Sequence, residues 1–130
     1  NPPQSVMDPV IARQLQQMLE TVTGPEGTAS RAAIDGYRVA AKTGTTRKVG
    51  VSGYSDRYVS SIAGFAPASD PRIALVVVIQ DPRGEAYYGG LVAGPLFGRV
   101  MAHALRLMNI PPDDIEQLIA LSAASAGEPQ

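Results

Sequence analysis

The residues Lys42-Thr43-Gly44-Thr45 end an extended run and combine two hydroxyls, an ammonium group and a glycine within one short segment. Side chains alternate between the two faces of a strand, so Thr43 and Thr45 are expected on one face and Lys42 on the other. Gly44 weakens a strand but lets another backbone or a ligand approach closely, and we expect a ligand there. The tetrad therefore predicts a strand that binds a carboxylate.

Cations outnumber acids around this tetrad. Between residues 38 and 57 the only acid is Asp56, whereas the cations of that stretch are Arg38, Lys42, Arg47, Lys48 and Arg57. A carboxylate ligand is favoured by such surroundings, and a charge-assisted hydrogen bond from a hydroxyl contributes about 1.5 to 3 kcal/mol. This chemistry suits a peptide with a free C-terminus.

Composition excludes several other classes of protein. The chain has 130 residues, of which 45% are hydrophobic, enough for one compact domain or for part of a larger one. A net charge of −1 and an aromatic content of 5% argue against nucleic-acid binding. The chain lacks cysteine and has one histidine, His103, so we expect neither a disulfide framework nor a metal site, and no cofactor.

Two helices are predicted on either side of the strand-forming stretch. Asp8-Pro9 supplies an N-cap and a first-turn proline for a helix over residues 9–23, which Gly24-Pro25 ends before a linker over residues 24–35. A second helix is predicted over residues 95–108, with a polar stripe that makes His103 a surface residue rather than a general base. Residues 120–130 are expected to form a loosely held tail.

Three strands are predicted over residues 36–45, 58–66 and 72–80. The short, turn-rich connection over residues 67–71 favours an antiparallel meander, because parallel strands need a longer crossover. The third strand is apolar without alternation from Ile73 to Ile79, so both of its faces are expected to be covered. The sequence thus predicts a layered α/β fold of the α+β kind, an antiparallel sheet covered by helices on both faces.

The tetrad matches the K-T-G element of penicillin-binding proteins and class A β-lactamases. Its surroundings resemble the transpeptidase domain of class B penicillin-binding proteins, the division-specific kind. The likeness runs from about Ser5 to Pro112 and includes Gly36-Tyr37-Arg38-Val39-Ala40-Ala41, Thr46-Arg47-Lys48, Ala63-Gly64-Phe65-Ala66-Pro67, Val76-Val77-Val78-Ile79, Gly89-Gly90, Ala93-Gly94-Pro95 and Phe97. The resemblance implies the penicillin-binding transpeptidase and serine β-lactamase fold, with its C-terminal portion over residues 1–112 and a tail over residues 113–130.

Two elements of that family are missing from the sequence. No serine is followed three residues later by lysine, and there is no S-x-N element. The nucleophilic serine is therefore expected in the N-terminal remainder of the same protein, and this chain alone is expected to be inactive. A start at Asn1, without an initiator methionine or signal peptide, fits a C-terminal fragment.

The resemblance implies a peptidoglycan D,D-transpeptidase, which cross-links stem peptides ending in D-Ala-D-Ala and is acylated by β-lactam antibiotics. Thr43 and Thr45, with Gly44 between them, would hold the terminal carboxylate. Lys42 would reach the serine of the missing S-x-N element without being the nucleophile. The backbone N–H of Thr45 would form half of the oxyanion hole, where donors stabilise the charge that develops during acyl transfer.

Residues beside the tetrad are expected to complete the pocket. Arg47 extends its cationic flank, and the resemblance places Tyr87 and Tyr88 against β-lactam side chains. Residues 46–57 are rich in glycine, serine and charge, so they are expected to form a mobile loop that closes over substrate. The alternatives are a plain connector for this stretch, and tyrosines that shield the sheet edge.

Other interpretations of the tetrad remain open at this point. Two surface threonines and a solvated lysine could simply end a strand. Residues 36–43 nearly spell a nucleotide-binding loop, but Ala41 stands where that loop requires glycine. A non-catalytic scaffold domain of the division complex and a serine β-lactamase would both share the fold.

The resemblance also implies a location and partners. It places the protein at the periplasmic face of the bacterial inner membrane, anchored by an upstream segment, and working with division-complex proteins. The longest apolar run of this sequence, Ile73 to Ile79, is too short to span a bilayer.

Overall fold

The computed structural model describes residues 2, 4–50, 53–83 and 87–126. Within them the chain forms four α-helices and three strands, with 3₁₀ helices at Thr21–Thr23 and Ser30–Ala32. In chain order they are α1 (Pro9–Glu20), β1 (Ala40–Gly50), β2 (Gly53–Ala66), β3 (Ile73–Gln80), α2 (Gly89–Val92), α3 (Gly94–Leu107) and α4 (Ile115–Ala126). No helix in these ranges is long and apolar enough to cross a membrane.

The first predicted helix is confirmed as α1 and the 3₁₀ turn that follows it. The Asp8 carboxylate accepts a hydrogen bond from the N–H of Val10 at 2.7 Å, and Pro9 occupies the first turn. These two features satisfy or remove backbone donors that a helix start leaves without partners. The second predicted helix is confirmed as α3, which begins one residue earlier than expected.

The sheet is the predicted antiparallel meander, in the order β1-β2-β3. β1 begins at Ala40, so the prediction of a strand over residues 36–39 is wrong, and it extends past the predicted end at residue 45 to Gly50. β2 begins at Gly53, five residues earlier than predicted. The prediction of a mobile loop over residues 46–57 is therefore wrong for residues 46–50 and 53–57. Arg47 pairs with Tyr58 and Val49 with Tyr54, and residues 51 and 52 of that prediction lie outside the described residues.

Helix α3 covers one face of the sheet, which we call the covered face. Phe97, Met101 and Leu105 are fully buried on α3, and Ile62 of β2 is fully buried with them. A Cβ on Gly64 would lie 2.9 Å from Cζ of Phe97, so the glycine lets the ring approach the sheet. This packing holds α3 against β2 and β3.

The opposite face, which we call the open face, is only partly covered. Helix α1 packs chiefly on β1, and its Leu19 lines a cavity together with Ala63 of β2 and Val76 of β3. Helices thus lie on both sides of the sheet, as predicted for this fold class. Val76 is 64% exposed and Val78 is 55% exposed, so the prediction that both faces of β3 are covered is wrong within the described residues.

The segment after α3 is attached to the start of β1. The Asp113 carboxylate accepts hydrogen bonds from the N–H of Arg38 at 2.8 Å and from the hydroxyl of Ser69 at 2.7 Å. The Gln117 side chain accepts another from the N–H of Gly36 at 2.6 Å. The tail expected over residues 120–130 is helical as far as Ala126, and residues 127–130 lie outside the described residues. The domain boundary at residue 112 stays a prediction.

Candidate active site

The tetrad lies in the first half of β1, which pairs only with β2 in the described sheet and is therefore an edge strand. Thr43 lies opposite Ile62 and Thr45 lies opposite Ser60, two residues that are fully buried on the covered face. Lys42 lies opposite Ala63 on the open face. The register thus separates the two hydroxyls from the ammonium group, because alternate side chains of a strand point to opposite faces.

The hydroxyl of Thr45 is held by the start of α2. Its Oγ1 accepts a hydrogen bond from the N–H of Gly89 at 3.1 Å. Accepting this bond uses a lone pair of the oxygen and leaves the hydroxyl hydrogen to donate. No other partner of this hydroxyl lies in the described part of the chain, and Thr45 is exposed, so a ligand can receive that hydrogen.

Thr43 has a partner that the sequence did not reveal. Its Oγ1 lies 3.2 Å from Oγ1 of Thr28, and either hydroxyl can be the donor. Thr28 precedes the 3₁₀ helix Ser30–Ala32 and lies far from the tetrad in sequence, without any motif that marks it. The pair orients the Thr43 hydroxyl, as a hydrogen bond from a neighbouring side chain fixes a rotor that would otherwise turn freely.

Two glycines bring α2 onto this edge of the sheet. A Cβ on Gly89 would lie 2.5 Å from the carbonyl oxygen of Gly44, and a Cβ on Gly90 would lie 1.7 Å from that of Thr28. Neither position has room for a side chain. The absence of Cβ atoms therefore lets α2 contact both the tetrad and the segment that carries Thr28.

Gly44 is surrounded by its own chain rather than by the ligand space that we expected. A Cβ there would lie 2.7 Å from Oγ of Ser61, and this hydroxyl lies 3.4 Å from the Gly44 carbonyl oxygen. A side chain at this position would therefore displace the Ser61 hydroxyl. In this structure, Gly44 lets the Ser61 side chain lie close to β1.

Lys42 is exposed on the open face. Its Nζ donates a hydrogen bond to the main-chain oxygen of Thr43 at 2.6 Å and has no carboxylate partner among the described residues. It borders a largely apolar cavity of about 330 Å³ that Leu19, Ala63 and Val76 also line. The ammonium group therefore lies beside a partly uncovered surface, without an acidic partner among the described residues.

The other cations near the tetrad are paired with acids, so the local field is weaker than the sequence indicated. Arg38 pairs with Glu20 at 2.9 Å, and Arg47 lies 3.7 Å from Asp56. Lys48 and Arg57 both pair with Asp81. Hydrogen bonds from Arg57 first, and then from Lys48, lower the pKa of Asp81 to about 2. Glu20 and Asp81 are distant in sequence, which is why their neutralising effect was missed.

Arg47, Tyr87 and Tyr88 come together beside Thr45, in a row that Tyr58 completes. Arg47 lies 5.6 Å from the ring centre of Tyr58 and donates from Nε to its hydroxyl at 3.1 Å. The Tyr58 ring stacks on Tyr87 at 4.3 Å, and the Tyr87 ring lies 4.5 Å from Tyr88. A hydrogen bond from the Tyr87 hydroxyl to that of Tyr88 is the main cause that raises the pKa of Tyr87.

Ser60 connects this aromatic row to the tetrad. It lies opposite Thr45 in the sheet, and its hydroxyl donates to the main-chain oxygen of Tyr87. His103, by contrast, is exposed on α3, where its Nδ1 lies 2.8 Å from the carbonyl oxygen of Arg99. The prediction that His103 is a surface residue is confirmed. The structure thus brings together two threonines, an arginine and three tyrosines on one edge.

Comparison with known proteins gives one consistent family. The family model described as "Penicillin binding protein transpeptidase domain" matches residues 1–102. The chain is 51% identical over 113 residues to the peptidoglycan D,D-transpeptidase FtsI of Escherichia coli K12, covering 86% of this chain and 19% of that protein. It is 44% identical over 123 residues to the probable peptidoglycan D,D-transpeptidase PbpC of Pseudomonas aeruginosa, covering 94% of this chain and 22% of that protein.

A solved structure agrees with this assignment. The apo transpeptidase domain of penicillin-binding protein 3 from Burkholderia pseudomallei superimposes with a TM-score of 0.77 at 40% sequence identity. The match covers 85% of this chain and 34% of that domain structure. The chain therefore spans about one fifth of the length of its full-length relatives, at 19% and 22%, and about one third of the solved domain.

Proposed function

Because the chain belongs to the family of penicillin-binding protein transpeptidase domains, we propose that it supplies the carboxylate-binding side of the active site of a septal peptidoglycan D,D-transpeptidase. The complete enzyme would cross-link stem peptides by acyl transfer through a serine outside this chain, and β-lactams would acylate that serine. One observation carries the proposal: the hydroxyls of Thr43 and Thr45 lie on one side of an exposed edge strand and are held by hydrogen bonds.

The two hydroxyls would bind the terminal carboxylate of the D-Ala-D-Ala peptide. The Thr45 oxygen already accepts from Gly89, so its hydrogen is available for a carboxylate oxygen. The Thr43 hydroxyl can accept from Thr28 and donate outward at the same time. Because both hydroxyls are oriented before the ligand arrives, little conformational freedom is lost on binding.

The main chain of Thr45 would contribute one donor of the oxyanion hole, and the N–H of the nucleophilic serine would contribute the other. A backbone donor in an ordered strand does not reorganise when negative charge develops on the substrate carbonyl oxygen. The Gly89 contact fixes the Thr45 side chain, which supports the position of its N–H.

Lys42 would act from the open face. No acid among the described residues neutralises its ammonium group, so it can stabilise negative charge on a group brought against this face by the rest of the protein. In this proposal Lys42 contacts the serine of the S-x-N element. It assists the transfer of a proton to the leaving group. It is not the nucleophile in this scheme.

The row of Arg47, Tyr58, Tyr87 and Tyr88 would form the wall next to the carboxylate site. Stacked rings offer a rigid apolar surface with polar hydroxyl edges, which suits the side chain of a β-lactam or the backbone of a stem peptide. We add Tyr58 to the pocket residues predicted from the sequence, because Arg47 and Tyr87 both contact its ring.

The proposal includes the setting of this activity. Similarity to transpeptidases named FtsI supports work at the periplasmic face of the inner membrane, with an anchor outside this chain and with division-complex proteins as partners. The N-terminal remainder of the same protein would be the first partner, since it carries the nucleophile. The open face beside Lys42 is the surface that we assign to it.

Labelling of the complete protein with a fluorescent penicillin tests the proposal. We expect a covalent adduct that persists after removal of free drug. Rapid turnover of the adduct would instead indicate a serine β-lactamase, and the absence of any adduct would indicate a scaffold domain. In a crystal of the adduct, the drug carboxylate is expected on the hydroxyls of Thr43 and Thr45, and a carboxylate bound elsewhere would contradict the site.

A further inference from the structure

A second concave surface, which we call the α3 groove, lies between the outer side of α3 and the segment before β1. It encloses about 420 Å³ and has a floor that includes Ile34, Gly98 and Ala102. The charged residues of its lining are Arg31, Asp35, Arg99 and Arg106, and His103 lines it as well. The buried residues Phe97, Met101 and Leu105 separate this groove from the sheet, so it is distinct from the tetrad.

The arginines of the α3 groove are not neutralised. Arg31, Arg99 and Arg106 are exposed and form no ion pair within the described residues, whereas Arg38, Arg47, Arg57 and Arg72 each have an acidic partner. Asp35 is the one acid that lines the groove. Three cations therefore face a surface that has a small apolar floor and an excess of positive charge.

The spacing of these cations defines what fits between them. Arg99 and Arg106 are seven residues apart on α3, which places them about 10 Å apart along the helix axis. In the extended polyproline II conformation, which has three residues per turn and a rise of about 3.1 Å, carboxylates three residues apart lie on the same side of the chain and roughly 9 Å apart. We propose that the α3 groove binds an extended acidic segment of another protein, with carboxylates spaced three residues apart.

The observations favour this occupant over two others. A lipid surface is flat, whereas the arginines border a groove with walls on two elements, which suits a single chain. A second copy of this chain would have to offer its acidic run at Asp113, Asp114 and Glu116. Asp113 is already bound by Arg38 and Ser69, and Asp114 accepts from the N–H of Gln117.

Binding of a designed acidic peptide to the complete protein tests the proposal. The probe is a fluorescein-labelled peptide with a repeated Glu-Ser-Gly unit, and the control is the Gln-Ser-Gly peptide. By fluorescence anisotropy at low salt, we expect the glutamate peptide to bind at least about tenfold more tightly, since charge pairs on an exposed rim act strongly when little salt screens them.

Charge reversal locates the site. The double variant R99E/R106E is expected to weaken binding of the glutamate peptide by about tenfold or more. The matched control R13E reverses an exposed helical arginine of α1 that does not line the groove, and it is expected to bind as the wild type does. Penicillin labelling should be unchanged in both variants, which also shows that they are folded.

Several results would overturn the proposal. These are equal binding of the two peptides, unchanged binding by R99E/R106E, or an equal loss in R13E. Binding of vesicles containing phosphatidylglycerol in preference to the peptide, lost in R99E/R106E, would assign the cations to a lipid surface. If R99E/R106E loses penicillin labelling, the milder R99Q/R106Q variant replaces it, and unchanged peptide affinity in that variant counts against the groove.

Discussion

The two faces of the sheet differ in how much of their environment this chain provides. On the covered face, Ile62 and Phe97 are 0% exposed, and the threonine hydroxyls are held by Gly89 and Thr28. On the open face, Val76 is 64% exposed, and the one partner of Lys42 within the described residues is a neighbouring carbonyl oxygen. β1 therefore carries hydroxyls held by hydrogen bonds on the covered face and a lysine with a mostly exposed environment on the open face.

This difference separates two kinds of chemistry. Ligand binding by hydroxyls needs fixed geometry, which the covered face provides through glycine contacts and close packing. An ammonium group can stabilise negative charge even though the lysine side chain is flexible. The position of the Lys42 side chain can therefore be fixed by residues from outside this chain. Changes on the covered face are thus expected to act through structure, and changes on the open face through the reaction itself.

The largest expected effect is on the covered face. Phe97→Ala should lower the free energy of unfolding by about 3 to 5 kcal/mol, because the ring is fully buried and its loss leaves a cavity. Urea denaturation of the complete protein measures this. Leu107→Ala, on the same helix but 86% exposed, should stay within about 0.5 kcal/mol of the wild type. Equal losses of unfolding free energy in the two variants would contradict the difference between buried and exposed positions of α3.

The open face should show the opposite behaviour. Lys42→Ala is expected to slow acylation by a labelled penicillin about 100-fold to 1,000-fold, the usual loss when one electrostatic contributor is removed from an acyl-transfer site. Its thermal midpoint should stay close to that of the wild type, since Lys42 is exposed. Lys48→Ala, which removes a lysine bound to Asp81, should acylate nearly normally. Normal acylation by Lys42→Ala would rule out its role.

Thr45 lies between these extremes because its hydroxyl accepts a hydrogen bond from Gly89 and, in the proposed site, donates one to the ligand. Thr45→Ala should weaken carboxylate binding by about 1.5 to 3 kcal/mol, while its backbone N–H remains for the oxyanion hole. The measurement is the non-covalent binding constant that precedes acylation. Thr45→Ser should restore binding, and a β-lactam methyl ester should not distinguish the variants. A loss that persists with the ester would mean that the hydroxyl acts only on structure.

Thr28 should have a smaller effect through Thr43. Thr28→Val removes a neutral hydroxyl contact of similar shape, which contributes about 0.5 to 1.5 kcal/mol. Carboxylate binding should weaken by that amount in the wild type but not in a Thr43→Val background. An equal loss in both backgrounds would show that Thr28 acts without Thr43.

The smallest effect is expected at the hairpin end, where Asp81 pairs with Lys48 and Arg57. Its folded pKa of about 2 lies below the unfolded value of about 3.9, so its contribution is present above pH about 4. The contribution is lost as the pH falls through about 2, because protonation then removes both ion pairs. Thermal midpoints from pH 6 to pH 2 should fall less in Asp81→Asn than in the wild type. Parallel curves would contradict this.

Local patterns in the sequence predicted α1, α3, the meander and the shared face of Thr43 and Thr45, because each depends on neighbouring residues. The long hairpin was missed because the charge and glycine in residues 46–57 resemble a loop, and Asp81, which pairs with Lys48 and Arg57, is distant in sequence. The exposure of Val76 and Val78 was missed because an apolar run predicts that both faces of a strand are buried. It does not indicate whether the residues that bury them belong to the same chain.

The two adjacent glycines at the start of α2 also limit how this site can evolve. Any side chain at Gly90 would collide with the Thr28 carbonyl oxygen, and any at Gly89 with Gly44 and Ser61. Natural variants of this site should therefore leave both positions unchanged. Sequence diversity would instead accumulate at neighbouring exposed positions such as Tyr88, which is 57% exposed.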